Sequence, residues 1–521
     1  MKKRGAIFLG LALMVSSPAV ASERPRLVVQ ITFDQLRGDL LERYRPAFKG
    51  GLRRILDRGW WVRHGEAAHG LTVSWPGHAT LATGLYPSHH GLTANEWWME
   101  VRGRWREVDA ADDARFRELG REGRSGKSVA NMKGTSIGDW FKSADARSKV
   151  VAIGSDAAVP YAGHRTDSLF WYDGEAGGFT TSTNYAATLP SWVDRLNSSI
   201  SSLPLSWTFS GDPRWLKLAA HEQRCPPFNS NAGFPHRYSR GERDRSAHSW
   251  IGSTPLADEV LLRRAGEIVR ANGLGQDSIP DYLNLSIGST DSVGHEYGPV
   301  SAEQLDTLVR LDSALGTFLD DLDRTVGKGR YLIAVSADHG VTDPPEQKCI
   351  HRVSTAEIEA LLDRVEVIAR VPHASRRALV AAIGRELERV PFIGGVYSAD
   401  SLSHAGRSDW KAQLIKRSFR PGHIPNFPLW SNKDRPFHPA RFGLWVTFKE
   451  GMIFDAATAV HGSPYASDRL VPVIFYGAGV PRRTLASGAR TVDVAPTLAA
   501  LAGIRTPPRL DGRPLLVETK R

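Results

Sequence analysis

Four short apolar runs, three of them closing on a polar or acidic residue, frame the chain: RLVVQITFD (26–34), KVVAIG (149–154), YLNLSIGS (282–289) and YLIAVS (331–336). Their length and β-branched content are those of strands buried on both faces. Between them lie stretches with helical spacing. Residues 44–58 run as one amphipathic segment into Gly59, 135–143 and 256–272 read as helices, and 303–322 carries Leu305, Leu308, Leu311 and Leu315 on one side. Alternation of strand and helix predicts a largely parallel α/β sheet. Smaller signals follow: a Gly-rich hairpin at 170–184, helices at 189–197, 375–388 and 494–502, and strands at 444–448 and 471–476. Residues 358–369 fit either strand or helix, and 87–98 reads as a loop.

The pattern fails in two places. From 197 to 248 the chain turns polar, rich in Arg, Pro, Gly and His, and reads as an insertion or lid; 341–445 is also irregular, with a surface loop expected at 417–441. The N-terminus has a third character. Lys2, Lys3 and Arg4 precede an apolar stretch over 6–15 and the small-x-small site Ala19-Val20-Ala21, so 1–21 reads as a secretory signal and the mature chain is expected in the periplasm or outside the cell. Ten apolar residues are too few to span a bilayer, and no transmembrane segment is expected elsewhere.

At 521 residues the chain needs a large domain with insertions, and 22–521 reads as one such catalytic unit. The formal net charge of +11 suits small anionic substrates, but the positive charge is dispersed, so no stable nucleic-acid partner is expected. Cys225 and Cys349 are the only cysteines; their spacing excludes a cysteine-rich metal module and leaves pairing open, as the sequence leaves the oligomeric state open.

The chemistry lies at the strand ends. Asp34, Asp291, His295, Asp338 and His339 end or follow predicted strands, and His461 opens the loop before one. Parallel strands bring such ends to one sheet edge, where α/β folds bind ligands. A set of six Asp and His residues suits two divalent metals of the zinc type. Ser74 stands beside a Trp-Pro-Gly turn before a small-residue run able to start a helix, whose free N–H groups favour an anion. Asn95 could donate its amide to a substrate oxygen, and Trp75, Trp97 and Trp98 could stack on a base, sugar or aryl group.

The pieces FDQLRGD (33–39), SWPGHATLATGLYPSHHG (74–91), STDSVGHEYGP (289–299), SADHG (336–340) and HGSPY (461–465) resemble the alkaline phosphatase superfamily. The branch they resemble is the secreted phosphate-irrepressible phosphatases, near the nucleotide pyrophosphatase/phosphodiesterases. The resemblance implies a three-layer α/β sandwich with a mostly parallel central sheet and inserted lid or loop regions. It also implies two Zn2+, one held by Asp34, Ser74, Asp338 and His339 and the other by Asp291, His295 and His461. Ser74 takes the position of the nucleophile, Thr in most of this branch, which forms a phosphoseryl intermediate. Asn95 matches the amide that contacts a non-bridging oxygen.

One departure shapes the expected substrate. The branch's monoesterases carry a Lys and an Arg that grip the phosphoryl dianion; the matching positions here are Gly154 and Asp156. Loss of two cations disfavours a dianion and loss of a Lys side chain is expected to leave room for a second ester group, so a small phosphodiester is the expected substrate. The alternatives are a phosphomonoesterase in which Lys133, Arg37 or His164 replaces the missing cations, and a secreted binding protein that keeps the fold without catalysis. Dedicated sulfatases have an Arg two residues after the Pro, where this chain has His78.

Overall fold

The computed structural model describes residues 24–219, 233–240, 245–425, 439–454 and 457–515. The export signal expected over 1–21, and Cys225, lie outside these residues. Cys349 is disulfide-bonded.

Nine strands form the central sheet: β1 (Leu27–Phe33), β2 (Trp60–Glu66), β3 (Val150–Gly154), β4 (Ser168–Asp173), β5 (Gly178–Thr180), β6 (Asp281–Ile287), β7 (Tyr331–Ala337), β8 (Leu470–Gly477) and β9 (Arg483–Leu485). Their order is β9-β2-β8-β7-β1-β6-β3-β4-β5. The run β7-β1-β6-β3-β4 is parallel, while β8 is antiparallel to both β7 and β2. The apolar runs become the middle of the sheet because every residue of β1, β6 and β7 is buried.

Helices cover both faces: α1 (Ser74–Thr83), α2 (Ile137–Ala144), α3 (Leu256–Ala271), α4 (Ser289–Tyr297), α5 (Ala302–Leu322) and α6 (Val494–Ala502). The alternation of β1 divides the core. Leu27, Val29, Ile31 and Phe33 pack with α3, α4 and α5, while Val28 joins the cluster containing α1, α2 and α6. Gln30 and Thr32 also point into the second layer, and their polar groups are satisfied: Gln30 Nε2 donates to Leu81 O at 3.2 Å, and Thr32 Oγ1 lies 2.8 Å from Tyr161 Oη. The chain thus forms the expected three-layer sandwich with a mostly parallel sheet.

Several local expectations change. Residues 44–58 do not form one helix: Gly38–Tyr44 ends in a 3-10 turn, Arg45–Ala47, and a separate helix spans Gly51–Arg58. Pro46 cannot donate to a continuing helix. Gly51 passes so close to α5 that a Cβ there would lie 2.4 Å from Leu315 Cγ. Asp312 of α5 also accepts from the backbone N–H of Lys49, Gly50 and Arg53 at 2.7, 2.6 and 3.1 Å, capping the second helix from outside its own segment.

The loop expected at 87–98 contains a short helix, Pro87–His90, and the start of a strand, Glu96–Val101, paired with Arg104–Asp109. Residues 358–369 lie in the helix Thr355–Arg370. The strand expected at 444–448 forms at Trp445–Phe448, but pairs with Ile393–Tyr397 outside the central sheet. That pair and the helices Thr355–Arg370 and Arg376–Glu388 share a separate core around Ile358, Leu361, Ile383, Leu387 and Phe448. Among the described residues no helix is long and apolar enough to cross a membrane.

Candidate active site

The carboxyl edge of β1, β6 and β7 gathers the strand-end residues. Asp34 follows β1, and Asp338 and His339 follow β7. Asp291 and His295 lie in the first and last turns of α4, which leaves β6; both face the same side because they are four apart. Asp258 of α3 holds the start of α4 by accepting from Ser289 N at 2.7 Å, and Thr290 Oγ1 donates to Asp34 O at 2.6 Å. His461 arrives from the opposite direction. It precedes β8, which is antiparallel to β7, so the approach to β8 lies where β7 ends.

The six Asp and His side chains converge. His339 Nε2 lies 3.4 Å from Asp34 Oδ1 and 3.1 Å from Asp338 Oδ2. His295 Nε2 and His461 Nε2 lie 3.2 and 3.5 Å from Asp291 Oδ1. Ser74, the first residue of α1, places Oγ 3.5 Å from Asp34 Oδ1. Three groups of potential ligand atoms each fall within 4.8 Å: Asp291/His295/His461, Asp34/Asp291/His339 and Asp34/His78/Asp338.

Backbone contacts fix how the histidines face the cluster. The Nδ1 atoms of His295, His339 and His461 lie 2.7, 2.9 and 2.8 Å from the carbonyl oxygens of Ala459, Gly340 and Thr72. A carbonyl only accepts, so Nδ1 carries the proton in each and Nε2 is turned inward as a lone-pair donor. His295 Nε2 and His461 Nε2 then face each other at 3.2 Å. Two lone pairs at that distance need a shared positive charge. His339 Nε2 and Asp338 Oδ2 are buried without a hydrogen-bond partner. This donor set fits divalent metal of the zinc type, the arrangement in which inward imidazole nitrogens and carboxylates become ligands together.

The charges lead to the same fit. Burial, then repulsion from Asp291, raises the pKa of Asp34 well above its usual value; burial and repulsion from Asp34 do the same to Asp338. Asp291 is held well below its usual value despite burial, because His295 and His461 face it, and Asp291 in turn lifts His295 to about 9 against the cost of burial. Burial and the neighbouring His461 push His339 down. Asp34 and Asp338 are short of positive charge, which a bound cation would supply.

Two polar residues join this cluster that the strand-end pattern did not single out. His78, one turn along α1 from Ser74, is fully buried with Nε2 3.5 Å from Asp34 Oδ2 and 3.6 Å from Asp338 Oδ2. Its spacing of four from Ser74 in a helix was the available signal. Gln35 donates from its backbone N to Asp338 Oδ1 at 3.1 Å and from Nε2 to Asp291 Oδ1 at 2.6 Å, tying the two ligand groups together.

Around Ser74, Asn95 Oδ1 accepts from Trp75 N at 3.0 Å, so the side chain's donor capacity resides in Nδ2. Trp97 is 1% exposed and its ring stacks on His423 at 5.0 Å, which places it in packing rather than at an open surface. Trp75 and Trp98 keep 7% and 9% of their surface. At Gly154 the backbone runs so close to β6 that a Cβ would lie 1.9 Å from Ser286 O. Asp156 lies beyond the end of β3 and pairs with Lys127 at 3.2 Å, a residue to which no sequence pattern pointed.

Two of the three cations considered as replacements are engaged by carboxylates. Arg37 bonds Asp39 at 2.7 Å and Asp343 at 2.6 Å, and His164 lies 3.2 Å from Asp139. Lys133 is exposed and runs past Gly91.

A buried Asp/His cluster with a Ser hydroxyl at a helix N-terminus, on the carboxyl edge of this sheet, defines a phosphoric ester hydrolase of the alkaline-phosphatase-like fold. The chain belongs to the type I phosphodiesterase / nucleotide pyrophosphatase family, whose pattern it matches over residues 28–390. It is 28% identical to alkaline phosphatase PafA of Elizabethkingia meningoseptica over 526 residues, covering 95% of this chain and 94% of that protein. It is 26% identical to alkaline phosphatase PhoK of Sphingomonas sp, covering 95% and 91% of the two chains. The crystal structure of wild-type PafA superposes with a TM-score of 0.81 at 25% identity, covering 95% of this chain and 99% of that one.

Proposed function

We propose that the protein is an exported zinc-dependent phosphodiesterase that uses Ser74 as its nucleophile and has weaker phosphomonoesterase activity. The observation that carries the reading is the approach of Ser74 Oγ to Asp34 at the head of α1, beside three histidines whose Nε2 atoms are all turned inward. Asp34, Ser74, Asp338 and His339 would hold one zinc, and Asp291, His295 and His461 the other. When bound, the ions would lower the pKa of the Ser74 hydroxyl and offset the charge developing on the phosphoryl and leaving oxygens. Ser74 attacks phosphorus in line, the ester bond to the leaving alcohol breaks, and a phosphoseryl group remains until water attacks from the vacated side. Asn95 Nδ2 is the donor for a non-bridging oxygen. Trp75 adjoins Ser74 in α1, and Asp156 takes the place of a dianion-binding Arg. The lean toward a diester rests on that charge difference and on the engagement of Arg37 and His164 by carboxylates.

A phosphomonoesterase is the second reading, favoured by the near-full-length relatives named alkaline phosphatases. The deciding experiment is a paired rate assay on zinc-loaded protein, an aryl phosphate monoester against the matching methyl aryl diester at pH 8 to 9. A clear diester preference supports the first reading and a strong monoester preference the second. Ser74→Ala is expected to lower either rate more than about a thousandfold; an unchanged rate would exclude the covalent route.

A further inference from the structure

Lys127 ends the short strand Ser125–Lys127, opposite Asp112 of its partner strand. Its side chain is only 8% exposed, and a buried ammonium requires anionic partners. It lies 3.2 Å from Asp156 Oδ2, 3.7 Å from Asp112 Oδ1 and 5.8 Å from the centre of the Trp75 ring. Trp75 is the residue after the nucleophile, and its backbone is bonded to Asn95. Asp156 follows β3 at the same sheet edge as the metal-binding cluster and is 44% exposed, so the pair borders both the solvent and the site.

We propose that Lys127 and Asp156 form the charge-setting wall of the substrate pocket, a neutralised pair that accepts a phosphodiester monoanion and withholds a free cation from a monoester dianion. This inference rests on the phosphodiesterase reading and names the residues that enforce it. Lys127, Asp156 and Asp112 together carry one positive and two negative charges, so a cation stands over the Trp75 ring without giving that wall a positive field. Asp156 is thus more than a missing Arg: it holds a lysine that would otherwise meet an incoming phosphoryl group. The remaining elements leave this role open, since Gly154 cannot carry a side chain into the pocket and Arg37 is bonded to Asp39 and Asp343.

Asp156→Asn keeps the shape and an oxygen acceptor for Lys127 but removes one negative charge. A monoester has one more negative charge than a diester. One unit charge at the wall, acting on that extra charge in a partly solvated pocket, is expected to change the relative rates about tenfold. The test is the monoester-to-diester ratio of kcat/KM for zinc-loaded wild type, Asp156→Asn, Lys127→Gln and the double variant. The ratio is expected to rise about tenfold in Asp156→Asn, fall about tenfold in Lys127→Gln and return near the wild-type value in the double variant. Asp156→Ala serves as a second variant, and melting curves and zinc content establish that each protein is folded and loaded. A diester-preferring wild type whose ratio moves less than twofold in folded, loaded variants overturns the charge-setting pair alone. A monoester-preferring wild type overturns the functional reading on which the pair's role rests, whatever the variants do.

Discussion

Gly77 gives the sharpest test of how Ser74 is positioned. It lies in the first turns of α1, and a Cβ there would fall 2.7 Å from Asp338 Cβ, 2.8 Å from Asp338 O and 3.0 Å from Asp338 C. Carbon atoms pack best at about 3.5–4.0 Å, so Gly77→Ala requires a relative movement of about 1 Å. No flexible side-chain end can absorb it, because the obstruction is the backbone and Cβ of a fully buried residue at the end of β7. Either α1, with Ser74 and His78, or the strand end, with Asp338 and His339, must shift. A misplacement of that size costs about a hundredfold in rate, and the overpacking about 1–3 kcal/mol in stability. The assay is kcat/KM together with zinc content and denaturant unfolding, with Gly384→Ala as control. Gly384 lies in the helix Arg376–Glu388 with nothing within 4 Å of its added Cβ, so that change is expected to be neutral or stabilising by about 0.5–1 kcal/mol. Wild-type kcat/KM, within twofold, in a folded and fully loaded Gly77→Ala protein would refute the claim that this contact sets the distance between Ser74 and the Asp/His cluster.

Removal of metal by a chelator is expected to lower the melting temperature and zinc to restore it, by about 3 kcal/mol per site at a hundredfold excess over Kd; an unchanged melting curve would count against the Asp/His cluster as a metal site. His69 and His90 are buried and held neutral, burial pushing them down to about 4 and about 3, so the unfolded chain binds their protons first. Their folded values lie below the ordinary histidine value, so stability falls as pH drops from about 6.5 toward 4. Urea unfolding across that range should show it, and His90→Gln should flatten the slope; a stability independent of pH there would contradict the buried neutral state. Asp312→Ala should cost about 2–3 kcal/mol in urea unfolding by stripping the acceptor from three backbone N–H groups, and a loss below about 0.5 kcal/mol would show that water replaces the cap.

The sequence by itself determined the central strands and the direction of the chemistry. Buried runs such as 26–34 and 331–336 can satisfy their backbone groups only within a sheet, and their apolar side chains have no solvent face. Once such strands are parallel, the polar residues that close them share an edge, so Asp34, Asp291, Asp338 and His339 were legible together although distant along the chain. The glycine-rich turn and the leucine spacing of α5 were legible for the same local reason, since turn chemistry and helical period are properties of neighbouring residues.

Tertiary structure decided whatever depends on a backbone or charge arriving from elsewhere. The segment 44–58 breaks where Pro46 meets the close packing of Gly51 on α5, and the cap for its second half comes from Asp312. That a Cβ at Gly154 would clash with Ser286 of β6 is decided by the packing of two strands distant in sequence. The inward tautomers of His295, His339 and His461 are set by carbonyls of Ala459, Gly340 and Thr72. Lys127 carries no motif, and only the fold brings its ammonium to Asp156 beside Trp75. Residue type and spacing fix what a segment is able to do; which atoms come within a few Å, and therefore which charges and hydrogen bonds act on a site, is fixed only when the layers pack.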